Sequence, residues 1–277
     1  MLKHTLAIPD EKAGVGETAA IFATLDERVA ECRARATVYR LLSGAFIEEA
    51  SVDFLNALRT PDTLAQFAEA GLRFDSDFLQ APVADLAEAL SVEYATQFAA
   101  SGGFPPVESV RLFGRYKQEP NFQTMRTYQR HAFALRPGRH EVFADQLGVE
   151  LLFVAELLDR VAAALVDGDE ATARKLDKEI KRFWVQHLGR WVRGYAGLIE
   201  SASQHSFYRE MARFLGGFAD EEIATMGLAV DDADQSKLVV PKVDVKVEFD
   251  PNEPVCNGCV GDAIARQDNV QALHDLR

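Results

Sequence analysis

The sequence has few cysteines, and they follow no framework that predicts disulfides. It contains only three among 277 residues, an odd number, whereas a disulfide-rich secreted domain needs cysteines in pairs at regular spacings. The chain also lacks the run of about 18 apolar residues that a membrane span requires. Its first residues carry too short an apolar run for a secretory signal, and Asp10 and Glu11 follow directly. We therefore expect a reduced, cytoplasmic protein.

The motifs of the common enzyme classes are also absent from the sequence. It contains no H-E-x-x-H, no G-x-S-x-G, no G-x-x-x-x-G-K-[ST] and no G-x-G-x-x-G. Zincin, hydrolase, P-loop and dinucleotide-binding functions therefore have no support. We expect a protein that is not an enzyme and that carries no cofactor.

Positive charge is the other scarce feature, because 43 acidic residues face 30 basic ones and the formal net charge is -13. Such a chain is repelled by nucleic-acid backbones and anionic membranes. It is compatible with a basic partner, including a peptide that carries arginines. The 48% hydrophobic residues are sufficient for a substantial core.

The dominant pattern in the sequence is the helical period. Apolar residues spaced by three and four form stripes along most of the chain, as at Phe22, Leu25, Val29, Cys32, Ala36, Tyr39 and Phe46. The pattern predicts an all-α fold, a single helical domain of about ten helices with an extended C-terminal arm. We divide the chain into a flexible lead at 1–18, a helical domain at 19–220, and an arm with a short terminal helix at 221–277.

Three features carry candidate chemistry. Pro105 and Pro106 fix the backbone and remove two donors, which makes a stiff wall suited to a peptide groove or a plain connection between helices. Glu108 follows and can cap the next turn or meet a cation. Asp145, Gln146 and Glu150 open a strongly apolar helix, where a carboxylate needs either an internal ion-pair partner or a ligand.

The weak metal-ligand candidates are Cys256 and Cys259 in a C-x-x-C pair, to which the sequence could add only His274 or Cys32. A closed zinc site needs four ligands, so we predict no metal site, and the alternative of a metal- or thiol-dependent protein rests on this pair. His187 shares a helical face with Phe183, Trp184 and Trp191, which favours a hydrogen-bonded core histidine.

Several of these segments together resemble the TorD/DmsD family of molybdoenzyme maturation chaperones. The resemblance spans about residues 25–220 and rests on Glu93, Tyr94, Phe98, Pro105, Pro106, Glu108, Ser109, Val110, Asp145, Leu147, Glu150, Leu151, His187, Leu188, Trp191, Phe207 and Tyr208. Two positions depart from the family. Gln146 stands where the family usually has histidine after the aspartate, and Val107 stands where an aromatic often follows the prolines.

The resemblance implies an all-helical chaperone that binds the twin-arginine signal peptide and the body of a molybdopterin oxidoreductase catalytic subunit. It would act as a monomer or homodimer and assist cofactor insertion before export. Carboxylates beside an apolar cleft would complement the two guanidinium groups and the apolar stretch that follows them. The expected peptide-binding residues are Tyr94, Phe98, Pro105, Pro106, Glu108, Ser109, Asp145, Gln146 and Glu150.

Overall fold

The computed structural model describes residues 24–99, 102–134 and 142–235, and in these ranges the fold is all-α, as predicted. Eleven α-helices and no strand occur there, with a single isolated bridge. The helices are α1 (Leu25–Phe46), α2 (Val52–Leu58), α3 (Pro61–Glu69), α4 (Ser76–Leu79), α5 (Val83–Tyr94), α6 (Glu108–Phe113), α7 (Glu119–Arg130), α8 (Leu147–Val166), α9 (Glu170–Gln186), α10 (Val192–Ala202) and α11 (Ser206–Met226). None of these helices combines the length and the apolar content that crossing a membrane requires.

Side-chain caps define where several helices begin. Thr24 and Glu27 form a reciprocal capping box at the start of α1. Ser51 caps α2 by accepting from the Phe54 amide, and Pro61 occupies the first turn of α3 behind the cap Thr60. Ser51 is a preferred N-cap residue and Pro61 a preferred first-turn residue, so the sequence predicts helix starts at both positions and the structure confirms them.

Helix α8 forms the centre of the core. It packs along α1 and α9, while α10 packs along α11. Fourteen of its 20 residues are buried, so it is apolar nearly all round. The largest fully buried side chains in the described part include Trp184, Trp191, Tyr39, Tyr195 and Tyr208.

A chain of buried polar side chains links α1, α9 and α11. The Trp184 Nε1 donates to the Tyr39 hydroxyl over 2.7 Å, and that hydroxyl donates to Glu222 over 2.6 Å. Arg35 donates two further bonds to the same carboxylate over 2.8 and 2.7 Å. Glu222 is thus buried with its charge fully satisfied.

The adjacent glycines Gly216 and Gly217 predict the end of a helix that begins near residue 204, but the structure contradicts this prediction. Helix α11 continues to Met226 and ends at Gly227, which has a positive φ of 63°. Buried side chains beyond the pair, among them Phe218 and Glu222, hold it in the helix. Their burial outweighs the cost of about 1 kcal/mol for each interior glycine.

Other differences arise where helices break or are short. The sequence keeps a helical period over 169–200, which predicts one helix, but the structure breaks it at His187, where a 3₁₀ turn (Leu188–Arg190) separates α9 from α10. Helix α5 passes into a π-helical turn at Ala95–Ala99. The short helices α4 and α6 were not predicted, because four and six residues are too few to show a period.

Residues 228–235 lie across the start of α10. The Asp232 carboxylate accepts from the amides of Arg193 and Gly194 over 2.9 and 3.0 Å, and Asp234 forms a two-bond ion pair with Arg111. The chain divides into units 1–237 and 238–277. The predicted lead at 1–18, the rest of the arm, and both Cys256 and Cys259 lie outside the described residues.

We expect Gly148→Ala to destabilise the protein by about 1–3 kcal/mol, the usual cost of overpacking a core. A Cβ at this position in α8 would lie 2.5 Å from the Ile47 Cβ and 2.8 Å from its Cα. Urea denaturation followed by circular dichroism measures the change. Gly217→Ala is the matched control, since a Cβ there meets nothing within 4 Å, and an equal loss in both variants would contradict the close contact.

Candidate functional site

The two segments that the sequence singled out meet in the structure. Val107 and Gln146 form an antiparallel bridge. The Leu147 amide donates to the Pro106 carbonyl over 2.8 Å, and the Glu108 amide donates to the Asp145 carbonyl over 2.9 Å. The start of α6 is therefore fixed to the start of α8, although 36 or more residues separate them along the chain.

Asp145 caps α6 rather than facing solvent. Its Oδ2 accepts from the Ser109 amide over 2.8 Å, and the Ser109 hydroxyl in turn accepts from the Gln118 amide over 3.1 Å. Asp145 and Ser109 are both fully buried. Burial raises the pKa of Asp145 above its ordinary value, although the bonds from Ser109 oppose the shift.

Gln146 joins α8 to the end of α1. Its Oε1 accepts from the Val149 amide over 3.1 Å, and its Nε2 donates to the Phe46 carbonyl over 2.7 Å. The Tyr94 hydroxyl donates to the neighbouring Ile47 carbonyl over 3.2 Å. The amide thus satisfies one orphan donor and one orphan acceptor of two helix ends, which gives the Gln146 side chain a structural use.

An imidazole does reach this region, but from α9. His187 Nδ1 lies 2.8 Å from Glu108 Oε2. One ligand atom from each of Glu108, Glu150 and His187 lies within 4.8 Å of the others. All three side chains are at most 1% exposed. We call these three residues the buried cluster.

The charges of the buried cluster are incompletely matched. Burial raises the pKa of Glu150 well above its ordinary range, and the nearby carboxylates of Glu108 and Asp145 raise it further. The half-exposed Arg190 reaches Glu108 only at 3.9 Å. Neither oxygen of Glu150 forms a well-aligned hydrogen bond among the described residues, although the Glu108 carboxyl and the Trp191 indole lie close enough to interact with it. Of the two alternatives for Glu150, an internal ion pair or a ligand, the ion pair therefore has no support in that part of the chain.

The predicted peptide-binding residues therefore occupy two connected places, and most of them are buried. Phe98 packs against Tyr94 with ring centroids 5.0 Å apart at the end of α1, while the carboxylates lie inside the bundle. Tyr94 and Pro105 are partly exposed. In this arrangement Glu108, Asp145 and Glu150 do not face an open cleft, and their direct contact with a peptide stays a prediction.

Exposed acidic residues lie next to Tyr94, and the sequence reasoning missed them. Glu48 and Glu49 follow the end of α1 and are exposed. Glu49 accepts from the Ser91 hydroxyl over 2.9 Å, and the next residue, Val92, is 63% exposed. We call Glu48, Glu49, Val92 and Tyr94 the acidic face. The sequence feature that could have predicted this surface is the pair of adjacent acids, Glu48 and Glu49, just past the end of α1.

A second missed surface is an aromatic segment between the end of α6 and the middle of α7. Its large apolar side chains are 42–50% exposed. They are Phe113, Tyr116, Phe122 and Met125, and we call them the aromatic segment. Tyr116 stacks on Phe143 with centroids 4.8 Å apart. Clustered exposed aromatics and methionine are typical of protein–protein contacts.

A cleft of about 940 Å³ lies between α7 and the end of α9. Arg126, Arg130 and Arg190 line it together with Gln123, Thr127, Gln129, Val185 and Gln186. Its positive charge makes it a poor site for a peptide that carries two arginines. Arg190 also connects this cleft to Glu108 of the buried cluster.

Comparison with known proteins identifies the family. A search of curated proteins finds no match. Among solved structures, a protein from Archaeoglobus fulgidus described as a candidate redox enzyme maturation protein shares 19% identity with a TM-score of 0.41, covering 67% of this chain and 93% of its own. The model of the nitrate reductase delta subunit family matches residues 53–196, about half of the chain. The chain therefore belongs to the nitrate reductase delta subunit family, of the TorD/DmsD type, whose members are redox-enzyme maturation chaperones.

Proposed function

We propose that this protein is a system-specific cytoplasmic chaperone for the catalytic subunit of a molybdopterin oxidoreductase. It binds the subunit's twin-arginine signal peptide and its body, and it assists cofactor insertion before export or assembly. The observation that carries the proposal is the family match over residues 53–196. Because the family is named after a subunit of nitrate reductase, we propose a client of the nitrate reductase type.

The acidic face is the proposed contact for the two arginines. A guanidinium can pair with a carboxylate through two parallel hydrogen bonds, and Glu48 and Glu49 offer exposed carboxylates that need no rearrangement. Tyr94 and Val92 supply apolar surface beside them. The predicted contacts with Glu108, Asp145 and Glu150 would instead require α6 and α8 to separate, because these side chains are buried.

The aromatic segment is the proposed contact for the body of the client. Its exposed aromatics and Met125 suit a partner that is still folding and presents apolar surface. This assignment keeps the arginines away from the basic cleft and places both contacts on side chains that are already exposed.

Isothermal titration calorimetry with synthetic signal peptides tests the acidic face. We expect a twin-arginine peptide to bind with micromolar affinity or better, about -8 kcal/mol. A twin-lysine peptide should bind more weakly, because lysine cannot form the two-bond pair. Glu48→Gln combined with Glu49→Gln should weaken the twin-arginine peptide about tenfold.

Asp62→Asn combined with Glu69→Gln is the matched control, since both residues are exposed acids on α3 and the net charge changes equally. Equal affinity for the two peptides, or no binding of either, would contradict recognition of a twin-arginine signal. An equal loss in the control variant would show only a general charge effect and would remove the acidic face from the proposal.

A further inference from the structure

The buried cluster is built from residue types that bind transition metals. One imidazole and two carboxylates converge from three different helical segments, at the end of α9, the start of α6 and the first turn of α8. One ligand atom from each lies within 4.8 Å of the others. Ligands around one tetrahedral ion bound at about 2.0–2.2 Å lie roughly 3.3–3.6 Å apart, so the three side chains need to move together by no more than about 1–1.5 Å to hold an ion.

Unpartnered polar atoms point to the same place. Both carboxylate oxygens of Glu150 and the Oε1 of Glu108 are buried without a hydrogen-bond partner among the described residues, and so is the Nε2 of His187. A buried polar group normally has a partner, because an unsatisfied one costs about 1–3 kcal/mol and more if it is charged. Several unsatisfied atoms in one cluster therefore indicate a ligand with positive charge.

In the described part of the chain, the basic groups that reach these carboxylates are His187, at 2.8 Å from Glu108, and the more distant Arg190. Asp145 lies close enough to Glu150 to interact with it electrostatically, which gives three buried carboxylates in one region. Arg190 is 3.9 Å from Glu108, and its half-exposed side chain also lines the basic cleft. A divalent ion would supply two positive charges where the carboxylates meet.

We propose that Glu108, Glu150 and His187 form a binding site for one divalent transition-metal ion, of the class of Zn²⁺, Mn²⁺ or Fe²⁺. Imidazole together with carboxylate suits these ions, whereas Mg²⁺ and Ca²⁺ prefer oxygen ligands alone. Asp145 and the Trp191 indole, which both interact with Glu150, lie around the cluster as outer groups. The ion would fix α6, α8 and the end of α9 to one another.

The first experiment removes the C-x-x-C pair, so that any metal binding observed does not come from these two cysteines. Full-length protein with Cys256→Ser and Cys259→Ser is purified without an affinity tag and stripped with a chelator. It is then titrated with Zn²⁺, Mn²⁺ or, without oxygen, Fe²⁺. We expect one ion per chain to bind, a higher Tm on binding, and an X-ray absorption edge of the zinc form that shows nitrogen and oxygen ligands without sulfur.

Glu150→Gln and His187→Gln test the ligands in the same background. Each should weaken metal binding by more than the 10- to 100-fold that changes to outer groups typically cause, and should abolish the rise in Tm. Glu179→Gln is the matched control, because Glu179 is also buried and lies 3.5 Å from a histidine, His131, outside the cluster. It should bind the ion like the parent protein.

Three results would overturn the proposal. They are failure of all three ions to bind, undiminished binding in both Glu150→Gln and His187→Gln, and an absorption edge that shows sulfur ligands. Circular dichroism establishes whether each variant folds. If one variant does not fold, two measurements still test the proposal. They are metal binding by the other variant and the ligand types seen by X-ray absorption of the parent protein.

Discussion

Replacing Glu222 by alanine is expected to lower the free energy of unfolding by about 3–5 kcal/mol, the cost of leaving a buried charge without its partner. Glu222 accepts two hydrogen bonds from Arg35 and one from the Tyr39 hydroxyl. Without the carboxylate, the largely buried guanidinium of Arg35 loses its counter-charge. The Tyr39 hydroxyl, which also accepts from Trp184, loses its acceptor.

Urea denaturation measured by tryptophan fluorescence gives the free-energy difference directly. Glu221→Ala is the matched control, because Glu221 is the exposed neighbour on the same helix, and we expect it to change the free energy of unfolding by no more than about 0.5 kcal/mol. A loss below about 1 kcal/mol for Glu222→Ala would show that the network does not bind α11 to α1 and α9. The two variants differ only in position, so helix propensity cannot explain a difference between them.

Replacing both Phe122 and Met125 by serine is expected to weaken binding of the full client subunit about 30-fold or more, the effect of losing one strong interface contact of about 2 kcal/mol. Both side chains are exposed on one face of α7, at 45% and 42%. Their removal should therefore leave the Tm nearly unchanged. The isolated signal peptide should bind as before, because its proposed contact is the acidic face.

Co-purification and surface plasmon resonance with the client precursor test this expectation. Val52→Ser combined with Val166→Ser removes two apolar side chains of comparable or greater exposure, 43% and 60%, from α2 and α8. Unchanged client affinity in the Phe122 and Met125 variant would exclude the aromatic segment as a docking surface. A parallel loss of signal-peptide binding would show that the two proposed contacts are one surface.

The sequence predicted the helices well where one face is apolar and the ends carry recognisable caps. Ser51 and Pro61 illustrate this, since Ser51 caps α2 and Pro61 opens α3 as their residue types predict. The prediction failed where tertiary contacts override a local preference. Gly216 and Gly217 remain helical because Phe218 and Glu222 are buried beyond them, and nothing in the local sequence shows that burial.

The candidate site was predictable in its parts but not in its arrangement. Glu150 stands out among leucines, and Pro105–Pro106 marks a stiff loop, so both were found. The approach of Glu108 to His187 was not, because 79 residues separate them and no fixed spacing links them. The burial of Glu108 could not be predicted either, because a carboxylate after a proline turn can point inward or outward with the same local sequence.

The same Arg35–Glu222 pair that stabilises the folded protein also has a consequence for its synthesis. The two residues are 187 positions apart, so at 5–20 residues per second a ribosome needs roughly 10–40 s to make the second after the first. For about the first two thirds of that time α8, the partner of α1, is incomplete, because it ends at Val166; the acceptor for the arginine comes later still. The nascent chain thus keeps the apolar face of its first helix without its main packing partner until residues 147–166 have been made.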